Sequence, residues 1–521
     1  MWFSTLLAIG IFCYLFYFNY PALLVALPIL VLWLGAPLVA WKISLPAEIK
    51  KPDLSANQEK YLHQLSRKIW SFFEDFVTVE DNWLPPDNYQ VHPSPKIAHR
   101  TSPTNIGLSL LSNLSAYDFG YIATEKLIER TVNSVNTLNR MEKYRGHLYN
   151  WYDTVSLLPL NPRYISTVDS GNLAGHLITL KQGLLSIAAN KIFSPNAING
   201  LATTAGLLYE TNKETVVLQQ LVDSISSIDQ SSGNSLQNVR KCLISLQEFY
   251  KENILPLTES KKSDTAAWAK KLEEQLNDLM NDLTAAVPWL LLDEQPKFLH
   301  LTEKVSPIPT LQSLALIELD LLPLIRASYT AENSIVENDW LNDFATAIVK
   351  AGRRAKEKIL TLNNLADQVL KLSDIEYDFL YDRSQHLLSI GYNIEEGRRD
   401  NSYYDQLASE ARLSTFVAIA QGKLPQESWF ALGRQLTNVG STPILLSWSG
   451  SMFEYLMPML VMPSYNNTLL DQTHHAIVEK QIDYGKKRGV PWGVSESGYN
   501  MVDANLNYQY KAFGVPGLGF K

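Results

Sequence analysis

The sequence predicts an all-α or mainly α toroid carried behind an N-terminal membrane segment. Three observations lead there. No charged residue occurs between Met1 and Trp41. Downstream, apolar residues recur at spacings of three and four, the signature of helices with one buried stripe. Strand-like runs are short, and βαβ alternation is not sustained anywhere, which argues against a parallel-sheet fold. With 521 residues, 46% of them hydrophobic, the chain suits one large domain or a domain with additions. A net charge of −8 argues against a dedicated nucleic-acid binder. Disordered, collagen-like and disulfide-stapled classes are excluded by composition.

The elements follow in order. Trp2–Phe18 is apolar or aromatic, Asn19-Tyr20-Pro21 interrupts it, and Ala22–Trp41 is apolar again. A bilayer crossing needs about 20 residues, so the second stretch qualifies and the first is marginal. Neither a basic n-region nor a small-residue cleavage site is visible. One anchor or a tight two-helix hairpin is expected, the alternative being a buried helical hairpin. Lys42, Lys50 and Lys51 are the first basic residues, so the positive-inside tendency puts the globular part in the cytoplasm.

A polar linker, Ser44–Asn57, leads to a helix near Glu59, with Leu62, Leu65, Ile69, Phe72, Phe73 and Phe76 at helical spacing. Proline-rich loops follow at Leu84–Asn88 and His92–Pro95. Further helices are expected over about Asn105–Ala116, Thr124–Met141 and Gly171–Ala189. From about Thr203 to Leu372 the chain is rich in Leu, Lys, Glu, Gln and Asn and reads as several long amphipathic helices without visible chemistry. The aromatic, glycine-rich style returns at Asp374, with a short strand-like run at Ile390–Ile394. The expected division is therefore 1–45 membrane segment, 46–202 first part of the catalytic domain, 203–372 helical insertion, and 373–521 second part.

No GxxxxGK[ST], HExxH or GxSxG motif occurs, and Gly514, Gly517 and Gly519 follow no predicted strand. The adjacent His474-His475 would point in different directions on a helix, so no metal is expected. Cys13 and Cys242 are far apart and form no CxxC. Carboxylates set among aromatics remain. Glu454 is the only charge between Arg434 and Asp471, in too apolar a run for a solvated face. It must be hydrogen-bonded or carry a raised pKa, whether as a ligand group or as an anchor for an Arg or loop amides. Glu496 is the only charge between Arg488 and Asp503, with Trp492 and Tyr499 nearby as sugar-stacking faces. Glu410, expected inside a helix over Tyr404–Gln421, shares the stripe of Leu407, Leu413 and Val417. Asp153 and Asp169 are weaker candidates, and Asp169 is as well suited to cap the helix after it. Acidic pairs among aromatics fit glycoside chemistry, which needs an acid for the leaving oxygen and a second carboxylate to attack or activate water.

These residues carry a resemblance. Phe72–Thr78, Asn82–Asn88, Ala98–Asn105, Asn150–Asp153, Asp169–Leu173, Ser409–Arg412, Phe453–Pro458 and Val494–Asn500 resemble, in order, the central region of cyclic β-1,2-glucan synthases. The resemblance implies a cytoplasmic (α/α)6-barrel cyclisation domain, similar in fold to β-1,2-glucanases, acting as a retaining transglycosylase that closes linear β-1,2-glucan on itself. It implies Glu410 and Glu496 as the catalytic pair, Glu410 as nucleophile and Glu496 as acid/base. Glu454, Trp151, Tyr152, Asp153, Asp169, Trp448, Trp492, Tyr499 and Asn500 would contact substrate. Full synthases also carry a glycosyltransferase region upstream and a phosphorylase-like region downstream; this sequence holds only the membrane segment and the central domain, as a fragment or a split gene would. Those regions are possible partners on other chains, and UDP-glucose is not an implied cofactor. The rivals are an endo-β-1,2-glucanase and a non-catalytic, membrane-tethered glucan-binding scaffold.

Overall fold

The computed structural model describes residues 2–44, 53–226, 235–258, 264–440, 442–502, 508–511 and 513–520, the side chains of 2, 43, 44 and 497–500 excepted. Lys50 and Lys51 lie outside the described residues. Two compact units emerge: Met1–Asp53 with Ser464–Gln472, and Leu54–Pro463 with Thr473–Lys521.

In the first unit, α1 (Trp2–Phe18) packs along α2 (Tyr20–Ser44), burying Ala8, Leu23 and Leu30. Most other apolar side chains here, among them Phe3, Val25, Leu32 and Trp41, are exposed. Tyr20–Lys42 is long and apolar enough to cross a membrane; Phe3–Phe18 is shorter.

The second unit is mainly helical. It begins with α3 (Ala56–Phe76), α4 (Pro103–Asp118), α5 (Thr124–Arg140) and α6 (Thr167–Ile187). Then follow α7 (Pro195–Thr211), α8 (Val216–Ser226), α9 (Leu236–Phe249), the short α10 (Leu255–Thr258), α11 (Asp264–Ala286), the short α12 (Leu299–Thr302), α13 (Leu311–Ala327) and the long α14 (Ile335–Leu372). The last are α15 (Ala411–Ala420), α16 (Glu427–Ala431), α17 (Met452–Leu456) and α18 (Leu469–Arg488), the last beginning in the first unit. Among the described residues the strands are short and antiparallel, mostly two-stranded; in the expected run near 390–394, Gly391–Asn393 is the middle strand of three, between Tyr164–Ser166 and Arg398–Arg399. Helices of the 203–372 stretch share one apolar core with their flanks: Leu218, Leu272, Leu341 and Val369 are buried in the same cluster as Leu110, Leu177 and Leu413.

Helix α6 is the hub. It is buried over most of its length, polar residues such as Asn172 and His176 included, and packs against α4, α14 and α15. Such close approach needs small residues. A Cβ on Gly171 would lie 2.2 Å from Ser414 Oγ, and one on Gly107 would lie 2.3 Å from His176 Nδ1. Because α4, α6 and α15 meet this way, the N-terminal ends of α4 and α6 and the residues entering α15 come together.

Two local expectations need correction. Helix α3 forms, but Leu62, Leu65 and Ile69 are exposed while Arg67 and Trp70 are buried. The inward face is held by charge: Arg67 pairs with Glu74 at 3.1 Å, Lys271 reaches Glu74 at 2.7 Å, and the guanidinium lies over Trp268 at 5.1 Å. The helix expected over Tyr404–Gln421 starts only at Ala411, because Ser409 turns the chain at φ +49°.

Burial raises the Glu74 carboxyl, and Arg67 and Lys271 outweigh it, leaving the group below its ordinary range. Stripping Arg67 leaves that charge poorly compensated. Arg67→Met should therefore destabilise the second unit by about 3 kcal/mol or more, read by urea denaturation at pH 7. Because a depressed carboxyl stabilises only above its unfolded pKa, the deficit should shrink as pH falls below about 4.

Candidate active site

Glu410 is the N-cap residue of α15, but its side chain caps nothing; it lies only 2% exposed. Ser409 Oγ donates to its Oε2 at 2.8 Å, and Asn172 Nδ2 on α6 does so at 3.4 Å. Its other oxygen, Oε1, is buried without a hydrogen-bond partner among the described residues. Burial, reinforced by the charge of Asp169, pushes the Glu410 carboxyl up to about 8. Asp169, at the third position of α6, accepts the Thr104 hydroxyl at 2.5 Å, and Asn172 Nδ2 donates to the same Thr104 oxygen at 3.0 Å. Ser166, not Asp169, is the N-cap of α6. Burial drives the Asp169 carboxyl up as well. Tyr404 completes this corner: burial raises its hydroxyl, helped by the Asp169 and Glu410 charges, and its ring lies 5.3 Å from that of Trp448.

Glu454 plays the anchoring part. It is 2% exposed, and its oxygens accept from Ser449 N and Oγ, from Ser451 N and Oγ, and at 3.5 Å from Ser409 N. The C-terminal strap locks that loop. Val515 N donates to Gly450 O at 3.1 Å, and a Cβ on Gly514 would lie 2.1 Å from Ser449 O. This close approach is what the terminal glycines are for. The carbonyls of Glu454 and Tyr455 receive the guanidinium of Arg412, a buried cation.

Glu496 approaches from elsewhere. It precedes a strand, Ser497–Val502, that pairs with Tyr508–Lys511 in register Gly498↔Tyr510. Through this hairpin Tyr510 Oη donates to Glu496 Oε2. Burial raises the Tyr510 hydroxyl, and the charges of Glu496, Glu410 and Asp87 raise it further, so all three carboxylates act on one hydroxyl. The hairpin is seated on the proline-rich loop, Tyr508 N donating to Gln90 Oε1 at 2.8 Å. Asp87 in turn accepts from Arg100 at 2.9 and 3.1 Å, and the Arg100 guanidinium lies over Trp151 at 5.1 Å.

Of the residues singled out from sequence, Glu410, Asp169, Trp448, Glu496 and Trp151 thus join one network of contacts and charges. Others have structural employment. Tyr152 is buried, its hydroxyl donating to Glu142 O at 2.5 Å, and Asp153 caps a turn through Ser156 N at 2.7 Å. Trp492 is exposed, and the side chains of Tyr499 and Asn500 lie outside the described residues. Sequence reasoning missed Tyr510, Tyr404 and the bridging roles of Thr104 and Asn172. Only the hairpin register pairs Tyr510 with Glu496, and no periodicity signals it. A cavity of about 350 Å³ lies elsewhere, lined by Glu125, Arg354 and Lys358 among others, but its lysine is engaged by Asp282 at 2.8 Å and Glu125 at 3.0 Å.

Comparison with known proteins bears out the resemblance to cyclic β-1,2-glucan synthases. Over 504 residues, 95% of this chain, it is 37% identical to the cyclic β-(1,2)-glucan synthase NdvB of Rhizobium meliloti (strain 1021). The chain spans 16% of that protein's length. No family model matches. Among solved structures, a putative glucoamylase from Bacteroides fragilis aligns with TM-score 0.40 and 13% identity, covering 90% of this chain and 75% of the other. An endo-β-1,2-glucanase from Chitinophaga pinensis aligns with TM-score 0.40 and 10% identity, covering 90% and 76%.

The setting of Glu410 has a stability consequence. A carboxyl raised on folding holds its proton in the native state and releases it on unfolding. Stability is therefore lost progressively as pH rises from about 4.5 toward about 8. Glu410→Gln, neutral and of the same shape, should match the parent at pH 4 and exceed it by about 3 kcal/mol at pH 7, measured by denaturant titration at both pH values.

Proposed function

We propose that this chain cleaves a β-1,2-glucosidic bond and passes the glucan to a hydroxyl of the same chain, as the cyclisation part of a cyclic β-1,2-glucan synthase built on an (α/α)6 barrel. The observation that carries the reading is the unlike setting of two carboxyls acting on one tyrosine. Glu410 is buried and poor in donors, and burial pushes its carboxyl up to about 8. Glu496 is less buried and accepts the Tyr510 hydroxyl.

These settings favour the reverse of the roles implied by the resemblance: Glu410 is the acid and Glu496 the nucleophile. In the first step Glu496 attacks the anomeric carbon, the C1–O bond breaks, and the Glu410 proton goes to the leaving oxygen. In the second, a hydroxyl of the bound glucan attacks the same carbon, gives its proton to Glu410, and releases Glu496. This double displacement retains configuration and needs the two carboxyls about 5–5.5 Å apart. Trp448 with Tyr404, and Trp151 under Arg100, offer flat faces for glucose rings. Glu454 supports the site through Ser409 and Arg412 rather than by touching sugar. On this reading the N-terminal helices anchor the enzyme at the inner membrane with the catalytic unit in the cytoplasm, and residues 203–372 buttress the barrel. Glycosyltransferase and phosphorylase-like regions are its expected partners.

Incubation of the chain with linear β-1,2-glucan should give products resistant to exo-acting β-glucosidase. Shorter linear chains alone would instead indicate an endo-β-1,2-glucanase. Glu410→Gln and Glu496→Gln should each lower turnover by at least about a thousandfold with glucan binding retained. Binding with no turnover by the parent would favour the scaffold. The acid must be protonated, so kcat/KM should fall as pH rises through about 8. Tyr510→Phe withdraws one hydrogen bond to a charged group and should cost about ten- to a hundredfold in kcat/KM.

A further inference from the structure

We propose that Asp169 is a positioning residue and not a sugar ligand: it remains ionised beside Glu410, and with Thr104 and Asn172 it holds that acid in its proton-bearing form. The inference rests on the reading of Glu410 as the general acid and extends it to the group that sets its proton.

The argument begins with charge. The ionisable groups facing Glu410 are Asp169 from α6, Tyr404 from the segment before α15, Arg412 from α15 and Tyr510 from the C-terminal hairpin. Neutral donors come from Ser409 and Asn172. Arg412 is the single cation among them, and its donors go to main-chain carbonyls. Glu454, also buried, is served by its own serine loop, and the adjacent Asp169 and Glu410 carboxyls relieve their mutual repulsion by holding one proton between them, as neighbouring acids do.

Burial raises both carboxyls, and the donors around each assign the proton to Glu410. Asp169 sits in the first turn of a 21-residue helix, where the macrodipole favours an anion. It takes the Thr104 hydroxyl at 2.5 Å, the length of a hydroxyl bond to a charged oxygen. Glu410 has one hydroxyl at 2.8 Å, one amide at 3.4 Å, and an oxygen with no partner among the described residues. That oxygen, buried and without an acceptor or donor of its own, has nothing to favour its ionised form. Asn172 ties the two halves, donating both to Thr104 Oγ1 and to Glu410 Oε2.

The test is infrared titration of the full chain without substrate, following protonated-carboxyl absorption, alongside the pH profile of glucan turnover. The parent should show a band at neutral pH that Glu410→Gln removes. Asp169→Asn deletes the neighbouring charge while keeping shape. It should lower the band's midpoint by about one pH unit or more, move the alkaline limb of kcat/KM down equally, and leave KM within about twofold. Thr104→Val, which withdraws only the hydroxyl that keeps Asp169 ionised, should shift the midpoint in the same direction and covers the case in which Asp169→Asn does not fold. A raised KM with an unmoved midpoint would make Asp169 a sugar ligand and overturn the proposal. A band that persists in Glu410→Gln, or is missing from the parent, would overturn the acid reading itself.

Discussion

A carboxyl held out of water without a cation dedicated to it is the constraint around which this site is organised. Glu410 lies at a junction of α4, α6 and α15, and its surroundings penalise the charged form more than they support it. Burying an acid this way opposes folding, and no packing advantage over glutamine offsets it. Such an arrangement is understandable where a proton has to be available at neutral pH for delivery to a leaving group.

The rest of the second unit holds that junction to close tolerance. Glycines let α6 approach α15, as Gly171 does against Ser414, and α4 approach α6, as Gly107 does against His176. A second set of glycines lets the C-terminal strap lie against Ser449 and Gly450, which fixes the loop that satisfies Glu454. Glu454 in turn bonds Ser409, the residue whose left-handed turn presents Glu410. The strap, the serine loop and the start of α15 therefore form one load path to the acid. Glu496 arrives on a separate element, a hairpin clipped to the proline-rich loop, and Tyr510 is the link between the halves.

Much of this was legible in the sequence, for identifiable reasons. Apolar spacing located α3 to α6 within a few residues. It failed for the inward face of α3, where an Arg67–Glu74–Lys271 cluster outweighs the stripe, and for the start of α15, which a single positive-φ serine decides. The isolation of Glu454 and Glu496 among uncharged neighbours, and the apolar stripe that Glu410 shares with Leu407, Leu413 and Val417, singled them out, since charges in apolar surroundings need employment. Their distinct employments were not legible. Whether an isolated glutamate is an anchor or an acid depends on how many donors surround it, and those donors come from Ser449, Asn172 and Tyr510, remote in sequence or neutral in composition. The proposed exchange of roles between Glu410 and Glu496 rests on the donors around each carboxyl, which the resemblance does not supply.

The central claim is that Glu496 carries the glucan covalently while Glu410 serves as proton donor and acceptor. It is tested most directly in Glu410→Gln with an aryl β-1,2-glucooligosaccharide, whose activated leaving group needs no acid. Loading should then proceed while transfer stalls for want of a base. Rapid acid quench and peptide mass spectrometry should find one oligosaccharide ester, on Glu496. An ester on Glu410 when the same substrate is given to Glu496→Gln, or no ester in either variant, would contradict the account.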